Sequence, residues 1–187
     1  MSLFEFLMVL VSIIIGLGLA EILTGIAKMI RARASIQPYW VHAVAVVVLF
    51  VALLQQWWEI WGLRMHSEWT FTGLLMMLSG PVGLFLMAHL SFPEPVHGTD
   101  LRDYYYAAMR PIWWLATLTV IAATLFRPLV FGDTLFSASN ATSFAFLAGF
   151  IALGASRRPL LHAILVPTVL VLLLLDILEW SFVVGGR

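Results

Sequence analysis

The chain has 187 residues, of which 62% are hydrophobic and 11% are charged. Soluble domains are about 45 to 50% apolar and about 25% charged, so this composition, with a mean hydropathy of +1.00, is typical of an integral membrane protein. Ten basic and ten acidic side chains give zero net charge, which argues against a nucleic-acid partner, and the absence of cysteine excludes disulfides and thiol chemistry.

Six stretches are apolar enough to cross a bilayer core of about 30 Å, which takes roughly 20 residues of helix. The first has no basic residue ahead of it and is too long for a signal-peptide core, so we expect a retained helix. The fifth stretch is the least apolar because residues 136–143 are polar. An arrangement of five spans with a re-entrant segment is therefore an alternative. The expected all-α transmembrane domain, 1–187, has spans at about 3–27, 39–63, 69–91, 111–131, 137–156 and 159–183.

Basic residues in short loops predict the orientation of the spans, because they accumulate on the cytoplasmic side. Seven of the ten fall on one side, and Arg64, Arg127 and Arg187 fall on the other. We therefore expect three helical hairpins that turn in the cytoplasm, with both termini on the non-cytoplasmic side. The seven are Lys28, Arg31, Arg33, Arg102, Arg110, Arg157 and Arg158.

The longest connection, 92–110, contains "FPEPVHGTDLRDYYYAAMR". Asp100 followed by Asp103 predicts a helix N-cap, and the three consecutive tyrosines are of the amphipathic type that is enriched at membrane interfaces. We expect a short interfacial helix that bends at Pro111 into the fourth span. This connection is too short for a soluble catalytic domain.

The second helices of the first and third hairpins share a pattern of proline, histidine and glutamate. His42 and Glu59 are 17 residues apart, as are His162 and Glu179, and Gln56 occupies the offset of Asp176. Seventeen residues span about 25 Å of helix, which predicts each histidine near the cytoplasmic interface and each glutamate near the opposite one.

Polar side chains therefore fall into two layers, a cytoplasmic layer of histidines and an external layer of acidic, amide and arginine side chains. The external layer consists of Gln55, Gln56, Glu59, Arg127, Asp176 and Glu179. Charged groups at membrane depth cost roughly 2.5 to 3.5 kcal/mol each, so they usually pair inside the bundle. One interpretation is a structural salt bridge in which Arg127 joins Glu59 and Glu179. Another places these groups at the headgroup level, in an aromatic belt with Trp57, Trp58, Trp61 and Trp180. The functional interpretation is a polar pathway or ion site made by Glu21, Gln56, Glu59, Asp176 and Glu179.

Glu21 is the acidic residue that lies between the two membrane interfaces rather than at one of them. Gly18 and Gly25 lie on the same helical face, and such small residues let a neighbouring helix approach closely. We expect Glu21 to be shielded from lipid.

Three histidines raise the question of a metal or haem site, since imidazole binds zinc, copper and haem iron. Such a site requires His42, His89 and His162 to converge from three hairpins, because no two are spaced as ligands within one helix. The alternative is that each histidine is interfacial or hydrogen-bonded separately. No cofactor is assigned.

The segment "SGPVG" (79–83) interrupts the third span with a proline between glycines. Either the helix opens there and exposes backbone carbonyls, as in transporters with discontinuous helices, or the segment is a packed kink. The sequence contains no phosphate-binding loop, dinucleotide fingerprint, nucleophile elbow or zinc-protease motif, so enzyme activity is not predicted.

The order of the segments "FEFLMVLVSIIIGLGLAEILTGIAKMIRAR", "PYWVHAV", "QQWWEIWGLR", "DLRDYYY", "RPIWW" and "SRRPLLHA" resembles a group of short bacterial polytopic inner-membrane proteins described only as hypothetical. The resemblance implies a multi-pass protein of the bacterial inner membrane and no particular activity. "QQWWEIW" departs from the more purely aromatic-apolar run expected there.

Three functions remain open at this stage. The first is an oligomeric channel or transporter for protons or small cations that uses the intramembrane carboxylates. The second is a non-catalytic membrane module that supports or senses a partner membrane protein. The third is a haem or metal protein built on the three histidines. A homo-oligomer is expected, because six helices in 187 residues are thin for a monomer with a cavity.

Overall fold

The computed structural model describes residues 3–65, 70–94, 98–132, 134–136 and 140–180, and they form a helical bundle. Five of the helices are long and apolar enough to cross a membrane, whereas α5, with 15 residues, is shorter. The helices are α1 (Leu3–Arg31), α2 (Trp40–Trp61), α3 (Phe71–Leu90), α4 (Leu101–Phe131), α5 (Ala141–Ala155) and α6 (Pro159–Trp180). A 3-10 turn, Gly62–Met65, follows α2.

Local chemistry sets several helix ends. Asp100 caps α4, as its sequence predicts: Oδ1 accepts hydrogen bonds from the backbone amides of Arg102 at 2.7 Å and Asp103 at 3.4 Å. Gly132 ends α4 with a φ of +74°, in the left-handed region where a Cβ is costly. Thr70 caps α3 by accepting from the amide of Gly73 at 3.0 Å.

The segment predicted as a separate interfacial helix is part of α4. This helix is continuous from Leu101 through Pro111 to Phe131, so residues 101–110 form its first turns. Tyr105 and Met109 in these turns are fully buried rather than surface-lying. Tyr105 packs against the rings of Tyr39 and His162, which lie at the starts of α2 and α6, and tyrosine content alone does not predict these contacts.

Three connections meet at one end of the bundle. The α1–α2 connection contains β1 (Ile36–Gln37), which pairs in parallel with β2 (Thr99–Asp100) of the α3–α4 connection. Next to them, the Tyr105 hydroxyl at the start of α4 lies 2.9 Å from His162 Nδ1 at the start of α6. We call this the histidine end.

The core runs between the helices, and the outer surface is apolar. Val11, Ile22, Leu53, Tyr105 and Leu153 are among the fully buried side chains. Large apolar side chains remain exposed on the outside, and helices that are apolar all round are typical of membrane spans. These exposed residues include Phe6, Ile13, Leu23, Phe71, Leu118, Leu129, Leu160 and Leu178.

Candidate cation site

One face of α2 lines a large cavity. Residues at i, i+3, i+4 and i+7 share a helix face, and the sequence of α2 keeps that spacing while it changes from apolar to polar. The first half of the stripe is aliphatic and the last turns carry two amides and a carboxylate. The stripe consists of Ala45, Val48, Leu49, Ala52, Gln55, Gln56 and Glu59.

The cavity has a volume of about 620 Å³ and lies among α2, α3, α4, α5 and α6. Its walls are mainly methionine, aromatic and aliphatic side chains. Amide and carboxylate groups lie towards the C-terminal ends of α2 and α6, and hydroxyl side chains of α3, α4 and α5 also line it. Pockets of 300 to 1,000 Å³ with mostly apolar walls and a few convergent polar groups are typical of binding sites for small molecules. The cavity therefore has the size and lining of a binding site.

Gln55 brings two carboxylates together at the polar end of this cavity. Its side-chain nitrogen donates hydrogen bonds to Glu59 Oε1 at 2.7 Å and to Asp176 Oδ2 at 3.0 Å. The first bond joins neighbouring turns of α2, and the second reaches α6, which packs beside α2. We call Gln55, Glu59 and Asp176 the carboxylate cluster.

The amide oxygen of Gln55 is the unusual feature of the cluster. Gln55 is only 8% exposed, and its Oε1 is buried without a hydrogen-bond donor among the described residues. Leaving a buried acceptor unpaired costs about 1 to 3 kcal/mol. Glu59 is exposed to the cavity, and within the described part of the chain no Lys or Arg side chain lies within 4.0 Å of it. The unpaired atom of the cluster is thus the Gln55 oxygen, whereas both carboxylates accept from the Gln55 nitrogen.

Gln56 also lines the cavity and lies against α3. A Cβ at Gly80 would lie 2.7 Å from Gln56 Oε1, so the glycine makes room for this amide. Gly83, three residues later, leaves room in the same way for the Thr119 side chain of α4. Helix α3 continues through Pro81, and "SGPVG" is therefore a packed crossing rather than an opened helix.

Arg64, a positively charged residue, also lines the cavity. Its guanidinium lies over the Trp61 ring, 5.5 Å from the centroid, and its Nη1 donates to the Trp61 carbonyl at 3.3 Å. The tryptophans near it, Trp57, Trp58 and Trp61, are all about 40% exposed.

Glu21 lies apart from the carboxylate cluster. Its Oε1 is 3.3 Å from His89 Nδ1 in a separate pocket of about 120 Å³, where Lys28 and Glu94 form an ion pair at 3.6 Å. Gly18 packs against Leu53 and α3, and Gly25 against the Phe92 ring, so the glycines do permit close approach. The Glu21 side chain nevertheless keeps 39% of its surface exposed.

The three histidines have three separate sets of partners. His42 Nε2 donates to the Ser91 carbonyl at 2.8 Å, whereas His89 contacts Glu21. His162 Nε2 donates to the Ser156 carbonyl at 2.8 Å, so Nδ1 of the neutral ring accepts from the Tyr105 hydroxyl. They do not converge, and no set of three His, Asp or Glu side chains suited to a metal occurs among the described residues.

The predicted salt bridge depends on two side chains that lie outside the described part of the structure. Arg127 is in α4, directly after Phe126, which lines the cavity, and Glu179 is in the last turn of α6. The predicted bridge from Arg127 to Glu59 and Glu179 therefore stays a prediction.

Sequence reasoning overlooked Gln55 as the centre of the cluster. It singled out Gln56, because the hairpin alignment matched Gln56 with Asp176, but the residue bonded to Asp176 is Gln55. The sequence of α2 does indicate the contact between Gln55 and Glu59, because residues four positions apart lie on the same face of a helix. The bond between Tyr105 and His162 joins residues 57 positions apart and has no comparable local signal.

Comparison with protein-family models, characterised proteins and solved structures finds no match to this chain. The resemblance to short bacterial inner-membrane proteins stays a prediction.

Proposed function

We propose that this protein is a polytopic inner-membrane protein of bacteria that moves protons or small cations, with the carboxylate cluster as its cation site. The observation that carries the proposal is the pairing of Glu59 and Asp176 on one Gln55 nitrogen inside a 620 Å³ cavity. Ionisable side chains at membrane depth are costly and usually mark pathways for ions or protons.

The electrostatics of the cluster favour a positive occupant. The two carboxylate oxygens lie within 3.0 Å of the same amide nitrogen, so their charges repel each other across a short distance. A proton or a cation between them removes this repulsion.

The proposed membrane arrangement has six spans in three hairpins, with the histidine end in the cytoplasm and the carboxylate cluster near the opposite surface. The clustering of basic residues in the three connections at that end supports this orientation. The chain has no cysteine, so single cysteines at Arg33 and Thr134 report the two sides cleanly. An impermeant maleimide added outside intact cells should label Thr134→Cys and not Arg33→Cys; the reverse labelling contradicts the orientation.

Flux in proteoliposomes tests the transport function. Wild-type protein should carry protons or Na⁺ and K⁺ down an imposed gradient, and Glu59→Gln should reduce that flux. Hydrogen bonds to charged groups contribute about 1.5 to 3 kcal/mol, which corresponds to about 10- to 100-fold in affinity. Asp176→Asn should act in the same direction.

Glu94→Gln is the matched control, because Glu94 is 91% exposed and pairs with Lys28 away from the cavity. It removes the same charge and should leave the flux unchanged. Flux that is equal in wild type, Glu59→Gln and Asp176→Asn contradicts the proposal. In that case, a loss of stability in Glu59→Gln would favour the structural salt-bridge interpretation.

A further inference from the structure

The proposed cation site takes up only the polar end of the cavity. Along α2 the lining is aliphatic from Ala45 to Ala52 and becomes polar at Gln55. The hydroxyls of Ser79 and Thr119, which also line the cavity, donate to carbonyls of their own helices. A water molecule takes up about 30 Å³, so a proton or a metal ion leaves most of the 620 Å³ unfilled. Apolar walls without contacts cost stability, because the lining atoms lose dispersion attraction.

The apolar length of the cavity matches the hydrocarbon chain of a membrane lipid. Ala45 and Gln55 are ten residues apart, which is about 15 Å of helix. A bilayer core is about 30 Å thick, so the chains of one leaflet also span about 15 Å. Met87 of α3 and Met109 of α4 line the cavity on the side of the histidine end. Methionine is flexible and polarisable, and it adapts to apolar bodies of different shape.

Arg64 lines the opposite end of the cavity, in the 3-10 turn after α2. Its side chain is exposed, and its Nη1 donates to the Trp61 carbonyl at 3.3 Å. No carboxylate among the described residues forms an ion pair with it. A guanidinium is always charged, and its planar fork of N–H donors matches the oxygens of a phosphate. Arg64 therefore provides a phosphate site at the polar end of an apolar cavity.

The cavity presents its groups in a fixed order along α2. Arg64 follows Glu59 by five residues, and Glu59 follows Gln55 by one helical turn. Glu59 is exposed and accepts one hydrogen bond, at Oε1, so its carboxylate can accept from a further donor. A monoacyl glycerophospholipid has a phosphate, a free glycerol hydroxyl and an acyl chain in this same order. A diacyl phospholipid has an ester in place of the hydroxyl, and an ester offers the carboxylate no donor.

We infer that the cavity binds a monoacyl glycerophospholipid, with its phosphate at Arg64, its glycerol hydroxyl at Glu59 and its acyl chain along the apolar length towards Met109. The inference goes beyond the proposed function, because lipid binding requires no passage of a cation. The phosphate pairs with the only charge of opposite sign among the described side chains of the lining, the hydroxyl sets the orientation, and the chain fills the apolar walls.

Native mass spectrometry of the protein in detergent, titrated with each lipid, tests the head group. The probes are 1-palmitoyl lysophosphatidic acid, its analogue without the glycerol hydroxyl, and dipalmitoyl phosphatidic acid. The first should bind at least about tenfold more tightly than either of the others, because only it combines the phosphate with an O–H donor beside the chain. Equal binding of the first two probes overturns the inference.

Arg64→Gln tests the phosphate site and should weaken binding of 1-palmitoyl lysophosphatidic acid at least about tenfold. Arg33→Gln is the matched control. The Nη1 of Arg33 also donates to the carbonyl three residues earlier at 3.3 Å, but Arg33 does not line the cavity. Binding that survives Arg64→Gln, or that weakens equally in Arg33→Gln, overturns the inference.

Ala45→Leu tests the placement of the chain, because it shortens the apolar length at the end away from Arg64. The preferred chain should shift from palmitoyl towards lauroyl, whereas a weakened fold alone lowers the binding of both equally. Ala20→Leu adds the same side chain on the exposed surface of α1 and should leave the preference unchanged. An unchanged preference in Ala45→Leu overturns the inference, and Arg64→Gln, at an exposed position, tests it even if Ala45→Leu does not fold.

Failure of this inference differs from failure of the proposed function. A Glu59-dependent flux of protons or Na⁺ without Arg64-dependent lipid binding overturns the lipid site and leaves the proposed function standing. Lipid binding that depends on Arg64, without flux of any cation, supports the lipid site and contradicts transport. The absence of both overturns both proposals.

Discussion

The two ends of the bundle treat their buried polar groups differently. At the histidine end, His162 has a partner on each ring nitrogen: Tyr105 donates to one and the Ser156 carbonyl accepts from the other. At the opposite end, one Gln55 nitrogen serves two carboxylates while its oxygen has no donor among the described residues. The first arrangement completes its hydrogen bonds within the chain, whereas the second leaves a buried acceptor without a donor among the described residues.

Under the proposed function, this difference separates polar groups that hold the fold from polar groups that form the cation site. A fully bonded buried network makes packing specific, but an incompletely bonded one costs stability. Proteins commonly accept such a cost at functional sites, where the site is optimised for its occupant rather than for the empty fold. Removing a polar group should therefore have opposite consequences at the two ends.

The largest effect on stability is expected at the histidine end. His162→Ala leaves the buried Tyr105 hydroxyl without its acceptor, which should lower the free energy of unfolding by about 2 to 3 kcal/mol. The measurement is an SDS titration in mixed micelles. In protein that carries Tyr105→Phe, His162→Ala should lower the free energy of unfolding by clearly less, because there is no Tyr105 hydroxyl to lose its acceptor. Equal costs in both backgrounds would mean that the bond contributes little.

A smaller change, and of the other sign, is expected at the carboxylate cluster. Glu59→Gln keeps an oxygen to accept from Gln55 and removes one of two neighbouring negative charges. The free energy of unfolding should stay the same or rise by up to about 1 kcal/mol, as often happens when a functional site is neutralised. The same titration measures it. A loss as large as that of His162→Ala would remove the contrast between the two ends.

The smallest effect is expected for Glu21→Gln. Glu21 and His89 are both partly exposed, at 39% and 62%, and exposed ion pairs contribute about 0 to 1 kcal/mol. Since Glu21 does not line the large cavity, this variant should carry the same cation flux as wild type. The proteoliposome assay used for Glu59→Gln makes the comparison. Reduced flux would show that the two pockets are coupled.

Local patterns predicted the helical architecture well. The apolar runs gave helices close to the expected bounds, and the Asp100 cap followed from a side chain that hydrogen-bonds its own backbone. Residues 101–110 were less well predicted. Tyr105 has the amphipathic character of an interface residue, but a distant histidine supplies the acceptor that lets it be buried.

The candidate site was predictable in part. Glu59 and Asp176 were named from their depth in the spans, which depends only on position within a helix. Their meeting at Gln55 depends on how α2 and α6 pack, and helix spacing in sequence does not determine that. Glu21 illustrates the same limit, because its flanking glycines correctly predicted close packing but not that the carboxylate would meet His89.

The three hairpins are joined in two different ways. The first two share backbone hydrogen bonds through β1 and β2, whereas the third is tied at the histidine end through Tyr105 and through Arg110, which donates to the Gly154 carbonyl at 3.1 Å. Asp176 belongs to that third hairpin and Gln55 to the first. Their hydrogen bond at 3.0 Å therefore ties the third hairpin to the first at the end of the bundle opposite to Tyr105 and Arg110, so the α5–α6 hairpin is held at both of its ends.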